Sequence, residues 1–347
     1  MTAGGPGVRA WLDRIPKVEL HVHLEGAIPL DALWTLVRKY GGDPDVPDRA
    51  ALERRFTYRD FPHFLDMWVW KNRFLREYDD FAFIAEAAAH DFAAQRIRYA
   101  EVFFSPPDFA DRGLRTSGLA AAIRSGLDLV PGVEIALVAD LVRDFGPAAA
   151  DVTLSEAAEV RGFGVIGVGL GGSEQEFPPG PFAAVFERAR RLGLRTTVHA
   201  GEGAGPDSVR EALRRLRPDR IGHATRAEED PALLDELAVS HVPLELCPTS
   251  NVQTGIIASL AAHPVRRYFE RGLTLSVNTD DPQMFGTRLT DEYRILAEVF
   301  GFTPAEIRSL VLQAVHSSWL PEGRKRAMAE EFERDPDWMG GTEAADV

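Results

Sequence analysis

The sequence predicts a (β/α)8 barrel with extra helices inserted after its first strand, and two observations support this. Eight apolar, strand-like runs alternate with segments of helical hydrophobic period, which is typical of a parallel sheet covered by helices. Four of the runs end in short motifs that contain histidine or acidic residues. Because catalytic groups gather at the carboxyl ends of the strands in such a barrel, this architecture brings the motifs together at one mouth.

The expected strands cover residues 17–23, 98–104, 134–141, 165–170, 195–200, 219–224, 242–247 and 272–279. Helical periodicity is clearest at residues 79–95, 117–129, 181–192, 206–216 and 230–239. The length of 347 residues would allow one large domain or two, but no repeat, low-complexity tract or linker divides the chain. We therefore expect an N-terminal extension over residues 1–14, a single domain over 15–335 and a polar, disordered tail over 336–347.

The stretch of residues 41–95 is too long for a simple connection between the first two strands. We interpret it as inserted helices that form a lid or a wall of the pocket. Phe61, Phe64, Trp68 and Trp70 would supply its apolar lining. Ordinary helix packing is the alternative explanation for at least half of these aromatic residues.

The first strand ends in a His-x-His pair, His21 and His23. Since strand side chains repeat every two residues, both imidazoles lie on one face and can bind one metal ion. His199 and Asp280, at the ends of later strands, can complete such a site, and Glu202 is an acid beside it. Zinc takes nitrogen and oxygen ligands of this kind and activates water.

Each motif also has a purely structural explanation. A His-x-His pair occurs by chance on surfaces, and His199 or His223 alone could be a hydrogen-bonded core histidine. Asp280 and Asp281 precede Pro282 and suit a turn. The shared position of the motifs, at the carboxyl ends of predicted strands, favours a metal site over coincidence.

The run from Gly167 to Gly172 fits the G-x-G-x-x-G pattern of dinucleotide sites, which requires a helix to begin at once. Residues 173–181 intervene with three prolines, so we reject that interpretation and expect close backbone approach to a flat ligand instead. The run from Val165 to Glu176 contains no lysine. Two-metal barrels usually need a bridging ligand, such as a modified lysine, after the fourth strand, so we expect a single metal ion.

Composition excludes several classes of protein. The net charge of −14 and the pI of about 5.2 argue against nucleic acid or an anionic membrane as a partner. No apolar run reaches the roughly 18 residues of a membrane span, and residues 1–14 lack the apolar core of a signal peptide. The one cysteine, Cys247, permits no internal disulfide, suits a reducing cytoplasm and excludes the zinc deaminases that use a Pro-Cys-x-x-Cys pair. We expect a cytoplasmic protein that acts on a small molecule.

Five motifs, in this order, resemble those of the adenosine and adenine deaminases of the amidohydrolase superfamily, and the resemblance covers residues 15–335. The motifs are PKVELHVHLEG at 16–26, HAGE at 199–202, GH at 222–223, CPTSN at 247–251 and NTDDP at 278–282. Each motif alone is weak, but the ordered set is specific. The resemblance implies one zinc ion bound by His21, His23, His199 and Asp280.

The resemblance also implies roles for four further residues. Glu202 would protonate the purine ring, His223 would orient the water, Asp281 would bind N7 and the Gly172 amide would approach N3. The chemistry agrees, because addition of water at C6 pushes electrons onto N1 and a positioned acid there is typically worth about 10²–10⁴ in rate. Glu202 must then have a raised pKa, as burial would produce.

The branch within the family depends on two positions. Ser105 stands where adenine deaminases tend to carry Asp, and residues 249–254 also resemble the nucleoside branch. Glu25 stands where adenosine deaminases usually carry an Asp for the ribose 5′-hydroxyl, whereas the adenine branch usually has Glu. The resemblance therefore implies an adenine-containing nucleoside as the substrate. Adenosine and a 5′-modified nucleoside such as 6-aminodeoxyfutalosine of menaquinone synthesis both stay open, with free adenine as the alternative.

Two other classes of protein share these features. A different hydrolase on the same barrel could open a cyclic amide or ester with the same acids. A non-catalytic binding protein could keep the fold, although such relatives typically lose a ligand or the acid, and neither is lost in this chain.

Overall fold

A computed structural model describes residues 6–340 as eight parallel strands arranged in chain order around a barrel. The strands are β1 Lys17–His23, β2 Ile97–Phe104, β3 Glu134–Asp140, β4 Val165–Gly169, β5 Arg195–Ala200, β6 Arg220–His223, β7 Leu244–Leu246 and β8 Leu275–Val277. Every neighbouring pair from β1 to β8 is parallel. The predicted fold class is therefore confirmed.

The barrel closes between β8 and β1 through residues that follow β8. Val22 and Asp280 form a parallel bridge. The Asp280 backbone N–H donates to the His21 carbonyl at 3.0 Å, and the His23 N–H donates to the Asp280 carbonyl at 2.8 Å. A candidate metal ligand thus also forms part of the seam that closes the sheet.

The predicted strands differ from the observed ones mainly in the last two strands of the chain, β7 and β8. β1 and β5 have the expected bounds, but β7 and β8 have three residues each, where apolar runs of six and eight residues were expected. Pro243 precedes β7 and has no N–H to donate to a neighbouring strand. After β8, Asp280 has a positive φ of 66°, which ends the extended backbone.

Helices surround the strands. In chain order they are α1 Pro6–Arg14, α2 Leu30–Lys39, α3 Arg49–Arg55, α4 Phe61–Asn72, α5 Tyr78–Ala94, α6 Thr116–Leu127, α7 Gly146–Glu159, α8 Ala183–Arg191, α9 Pro206–Glu211, α10 Pro231–Ser240, α11 Pro248–Gln253, α12 Val265–Glu270, α13 Pro282–Phe285, α14 Leu289–Glu298, α15 Pro304–Ser317 and α16 Glu322–Glu333. The five segments of helical periodicity are all helical, although 206–216 is divided into α9 and a π-helical turn at Ala212–Leu216.

The stretch between β1 and β2 that was interpreted as an insertion contains α3, α4 and α5. Asp48 and Asp60 cap the first two of these helices, since their side chains accept hydrogen bonds from the N–H groups of Ala51 and His63. One large hydrophobic cluster includes residues from α1 through α16. A smaller cluster, formed by Phe64, Met284 and Phe285, joins α4 to the segment after β8.

Helix α1 contacts the segment that follows α16. Trp11 in α1 is buried and donates its indole N–H to the Asp337 carbonyl at 2.9 Å, and Trp338 is also buried. Trp338 is thus packed against the domain, and residues 341–347 of the tail predicted to be disordered lie outside the described residues. Among residues 6–340, no helix is both long enough and apolar enough to cross a membrane.

Candidate active site

The residues predicted to form the site lie at the carboxyl ends of strands or in the loops that follow them. In chain order they are His21, His23, Glu25, Ser105, Gly172, His199, Glu202, His223, Asp280 and Asp281. All are buried except Gly172, which is half-buried. The structure therefore brings into one region residues that are separated by up to 260 positions.

The four candidate ligands form the floor of this region. Asp280 Oδ1 lies 3.3 Å from His23 Nε2 and 3.5 Å from His21 Nε2. The His199 ring centroid lies 4.6 Å from that of His21 and 5.4 Å from that of His23. The Nε2 atoms of His21 and His199 are buried without a hydrogen-bond partner among the described residues. Such donors suit a bound cation, because a buried nitrogen with no partner is otherwise unfavourable.

Within residues 6–340, three overlapping groups of side chains have donor atoms close enough to bind a metal ion. One contains His21, His23 and Asp280, a second contains His21, His199 and His223, and a third contains His223, Cys247 and Asp280. The first two share His21, so they adjoin the same space. Burial raises the pKa of the Cys247 thiol well above its usual range, which disfavours Cys247 as a ligand.

Two candidate ligands, His21 and Asp280, are oriented by hydrogen-bond contacts with neighbouring side chains. His21 Nδ1 lies 2.7 Å from Glu245 Oε2, which leaves Nε2 facing the site. Asp280 Oδ2 accepts a hydrogen bond from the Ser250 hydroxyl at 2.7 Å. The absence of a side chain at Gly222 in β6 leaves space for the His21 ring, because a Cβ at Gly222 would lie 2.8 Å from His21 Cε1.

Glu202 sits in a turn that a single buried carboxylate holds in place. Glu174 accepts hydrogen bonds from the backbone N–H groups of Gly201, Glu202 and Ala204, at 2.6, 3.0 and 3.0 Å, and from the Ser208 hydroxyl. The Glu202 carboxyl then lies with Oε2 3.6 Å from His223 Nε2 and 4.0 Å from His199 Nδ1. This geometry places an acid directly beside the candidate ligands.

Two acidic side chains of the site, Glu202 and Asp281, have raised pKa values. Burial, followed by the negative charges of Asp280 and Glu174, raises the pKa of Glu202 well above its usual range. Burial and the charge of Asp280 raise the pKa of Asp281 to about 7. Burial lowers the pKa of His223 to about 3. The raised pKa of Glu202 favours its protonated form, and the lowered pKa of His223 favours a neutral imidazole.

Asp281 is fixed against the loop that follows β1. Gly26 contacts it so closely that a Cβ on Gly26 would lie 1.7 Å from Asp281 Oδ1. That oxygen is buried without a hydrogen-bond partner among the described residues. Gly172, on another wall, has a φ of 99°, and a Cβ on it would lie 2.0 Å from Asp144 Oδ2. Glycine is required at both positions for close packing.

A cavity of about 860 Å³, including its open mouth, extends from these residues to the surface. Phe61, Phe64 and Trp68 from α4 line it, as predicted. Trp70 does not line it: its indole packs against Phe74 and donates to Asp43 Oδ2 at 2.8 Å. The helical period turns Trp70 away from the face that carries Trp68.

The two residues that distinguish the branches of the family touch each other. Ser105 lines the cavity, and its backbone N–H donates to Glu25 Oε1 at 3.0 Å. The other oxygen, Glu25 Oε2, is buried without a partner among the described residues, and burial raises the pKa of the Glu25 carboxyl. Lys71 is also buried nearby, and its charge favours the ionised form of Glu25.

Sequence reasoning did not find Glu174 or Glu245, which hold Glu202 and His21 in place. Glu245 lies within an apolar run and Glu174 in the polar segment after one, and no motif marks either of them. A signal was available for Glu245, because an ionisable residue inside a short buried strand requires a partner.

Imidazoles and a carboxylate around one point, with a buried carboxyl of raised pKa beside them, can bind a metal ion, activate water and deliver a proton. On a (β/α)8 barrel this defines a metal-dependent hydrolase. The family model described as Adenosine deaminase matches residues 16–334, and the chain belongs to this family. The protein is thus a hydrolytic deaminase of adenine- or adenosine-type substrates.

The similar proteins include adenine, aminodeoxyfutalosine and adenosine deaminases. An adenine deaminase of Bordetella avium is 37% identical over 312 residues, covering 88% of this chain and 98% of the relative. An aminodeoxyfutalosine deaminase of Streptomyces coelicolor is 34% identical over 331 residues, covering 94% and 86%. A solved amidohydrolase from Burkholderia ambifaria with bound zinc has a TM-score of 0.86 and 29% identity, covering 95% of this chain and 93% of that one.

Proposed function

We propose that this protein is a zinc-dependent deaminase that replaces the 6-amino group of an adenine-containing nucleoside by oxygen from water and releases ammonia. The observation that carries the proposal is the position of Glu202. Its carboxyl has a strongly raised pKa and lies within 4.0 Å of His199 and His223, on the floor of a cavity with an aromatic wall. Flat purines suit such a wall.

One zinc ion per chain would be held by His21, His23, His199 and Asp280. The partnerless Nε2 atoms of His21 and His199, and the contacts of Asp280 with two imidazoles, support this set. When bound, zinc supplies Lewis-acid activation of a water molecule. The lack of a lysine between Val165 and Glu176 supports one ion rather than two.

The protein's own groups bind and protonate the ring. Glu202, whose raised pKa favours the protonated carboxyl, would deliver a proton to N1 as oxygen adds at C6, which keeps negative charge from accumulating on the ring. Asp281, with a pKa of about 7, can donate its proton to N7, which is a hydrogen-bond acceptor. The backbone N–H of Gly172 would meet N3 from the opposite wall.

The cavity suits an uncharged substrate better than a phosphorylated one. Six acidic side chains and no lysine or arginine line it among the described residues; the acids are Asp108, Asp140, Asp144, Glu202, Asp280 and Asp281. A phosphate group would have no cation to pair with there and would be repelled. This favours a nucleoside over a nucleotide.

The substituent beyond the purine would be set by Glu25. Its carboxylate is one methylene longer than the Asp of adenosine deaminases, a difference of about 1.5 Å, and its free Oε2 can accept a hydrogen bond from a ligand. A 5′-modified nucleoside such as 6-aminodeoxyfutalosine fits this position better than adenosine does. Free adenine is the second candidate, because Glu is usual in that branch and the relative from Bordetella avium is an adenine deaminase.

The test is a set of ultraviolet assays with adenine, adenosine, 5′-deoxyadenosine and 6-aminodeoxyfutalosine, combined with metal analysis. We expect ammonia release, one zinc per chain and the highest kcat/KM with a 5′-modified nucleoside. His199→Ala should lose both zinc and activity. Ammonia release from none of the four compounds would contradict the deaminase proposal, and two ions per chain would contradict the metal assignment.

A further inference from the structure

A chain of buried hydrogen bonds connects a backbone amide outside the site to His223. The Val265 N–H, at the start of α12, donates to His263 Nδ1 at 3.2 Å. His263 Nε2 lies 3.2 Å from Asn251 Oδ1, and Asn251 Nδ2 lies 3.2 Å from His223 Nδ1. The three side chains are fully buried.

The directions of these bonds follow from the backbone amide, which can only donate. His263 Nδ1 therefore accepts, and in a neutral imidazole the other nitrogen carries the hydrogen. His263 Nε2 must then donate to Asn251 Oδ1. With its oxygen on this side, the Asn251 amide turns its nitrogen toward His223 and donates to Nδ1.

His223 is thereby left with a hydrogen on Nε2, the atom that faces the site. That atom lies 3.6 Å from Glu202 Oε2 and 4.0 Å from Asp280 Oδ2 and has no hydrogen-bond partner among the described residues. An Nε2–H can donate a hydrogen bond, but it has no lone pair for a metal ion and cannot accept a proton.

We infer that His263, acting through Asn251, fixes the tautomer of His223, so that His223 serves as a hydrogen-bond donor to the oxygen that adds to the purine. His263 is a positioning residue, because it contacts neither the site nor any of its candidate ligands directly. This inference rests on the proposed function for the role of His223, but the tautomer itself does not depend on it. Because an Nε2–H cannot bind a metal ion, the inference also argues against the two groups of candidate metal ligands that include His223.

The direct test is a two-bond ¹H–¹⁵N spectrum of the zinc-loaded full-length protein labelled at histidine nitrogens. The His223 signals are identified by their loss in His223→Asn. We expect the pattern of an Nε2–H imidazole. The pattern of an Nδ1–H imidazole in the wild type would overturn the inference.

Two variants test the relay itself. His263→Phe keeps a ring of similar size but cannot donate, so the Asn251 amide is free to rotate. We expect a mixed tautomer pattern and a fall in kcat of at least about tenfold, with KM within about twofold and unchanged zinc content. Asn251→Asp, whose carboxylate only accepts, should invert the pattern to Nδ1–H. Unchanged tautomers in both variants would contradict the relay, and the Asn251→Asp spectrum decides alone if His263→Phe does not fold.

Thr225→Val is the matched control. The Thr225 hydroxyl also contacts Asn251 Oδ1, at 2.8 Å, and is equally buried, but a hydroxyl can either donate or accept and so does not fix the amide. We expect the wild-type tautomer and a kcat within about twofold of the wild type. An equal loss in Thr225→Val and His263→Phe would mean that packing around Asn251 matters rather than the relay. A wild type with the Nε2–H pattern that releases no ammonia would overturn the proposed function and leave the relay intact.

Discussion

Two sets of buried charges lie in this barrel, and they behave in opposite ways. Within the strands, Arg220 lies between Glu101 and Glu245, donates to the Ser317 carbonyl at 3.0 Å and stacks 3.8 Å from the Trp319 ring. At the carboxyl ends of the strands, Glu202 and Asp281 have other carboxylates as neighbours and no salt bridge to lysine or arginine among the described residues.

The two sets are equally buried but differ in the sign of their neighbours. Burial alone would raise the pKa of Glu245, but Arg220 and the hydrogen bond with His21 lower it to about 2. The pKa of Glu202 rises instead, because burial and nearby negative charges act in the same direction. The partner therefore decides whether a buried acid serves as a structural anion or as a proton donor.

Glu202→Gln tests the proton-donor side of this comparison and should give the largest effect. We expect kcat to fall by about 10²–10⁴ because the variant has no proton to deliver, while zinc content and the urea midpoint of unfolding stay the same or rise. Glu187→Gln, on the exposed face of α8, is the control and should keep full activity. Loss of zinc together with activity would mean that Glu202 is a ligand.

Arg220→Met tests the structural side. Removing the cation leaves the buried carboxylates of Glu101 and Glu245 without their arginine partner, so we expect the free energy of unfolding to fall by about 3–5 kcal/mol. Arg195→Met breaks the exposed pair with Asp219 and should lower it by at most about 1 kcal/mol. Urea titrations of both variants make the comparison. Equal losses would show that burial of the pair is irrelevant to its strength.

Glu292 extends the comparison to a buried acid away from both sets, and burial raises its pKa to about 7. The folded state then holds a proton that the unfolded state releases above pH 4.5, so this group's contribution to stability declines as the pH rises from 4.5 through 7. Relative to Glu292→Gln, the wild type should lose at most about 3 kcal/mol across that window. Urea titrations of both proteins at several pH values check this, and a constant difference would contradict the raised pKa.

Glu25→Asp should give the smallest change, because only one oxygen of the Glu25 carboxyl, Oε1, accepts a hydrogen bond, and Oε2 has no partner among the described residues. The shorter side chain should shift the ratio of kcat/KM values toward adenosine, away from a 5′-modified nucleoside, by about tenfold. Glu53→Asp, at an exposed position of α3, is the control and should leave this ratio of kcat/KM values unchanged. If adenosine is already the preferred substrate of the wild type by a wide margin, Glu25 does not set the specificity.

Much of the fold could be predicted because each strand is a short apolar run with a clear beginning. The last two strands were predicted too long. Pro243 has no N–H to donate to a neighbouring strand before β7, and β8 ends at Val277, ahead of the turn at Asp280. The placement of the motif residues together also followed from the barrel, because its carboxyl ends share one rim.

The supporting residues could not be predicted in the same way. Glu174 acts on Glu202 only because the loop after β4 passes beside the loop after β5, and sequence patterns do not specify how loops pack. The orientation of Trp70 away from the cavity depends on the rotation of α4 by a fraction of a turn. His263 becomes meaningful only when its distance to Asn251 is known.

Gly26 and Asp281 lie so close that neither can be varied independently. Any side chain at position 26 would occupy the space of the Asp281 carboxyl, and the Gln283 N–H donates to the Gly26 carbonyl at 3.0 Å. A library that mutates position 281 alone therefore samples only side chains that pack against the backbone of Gly26. Redesign of purine recognition in this protein requires that both loops be mutated together.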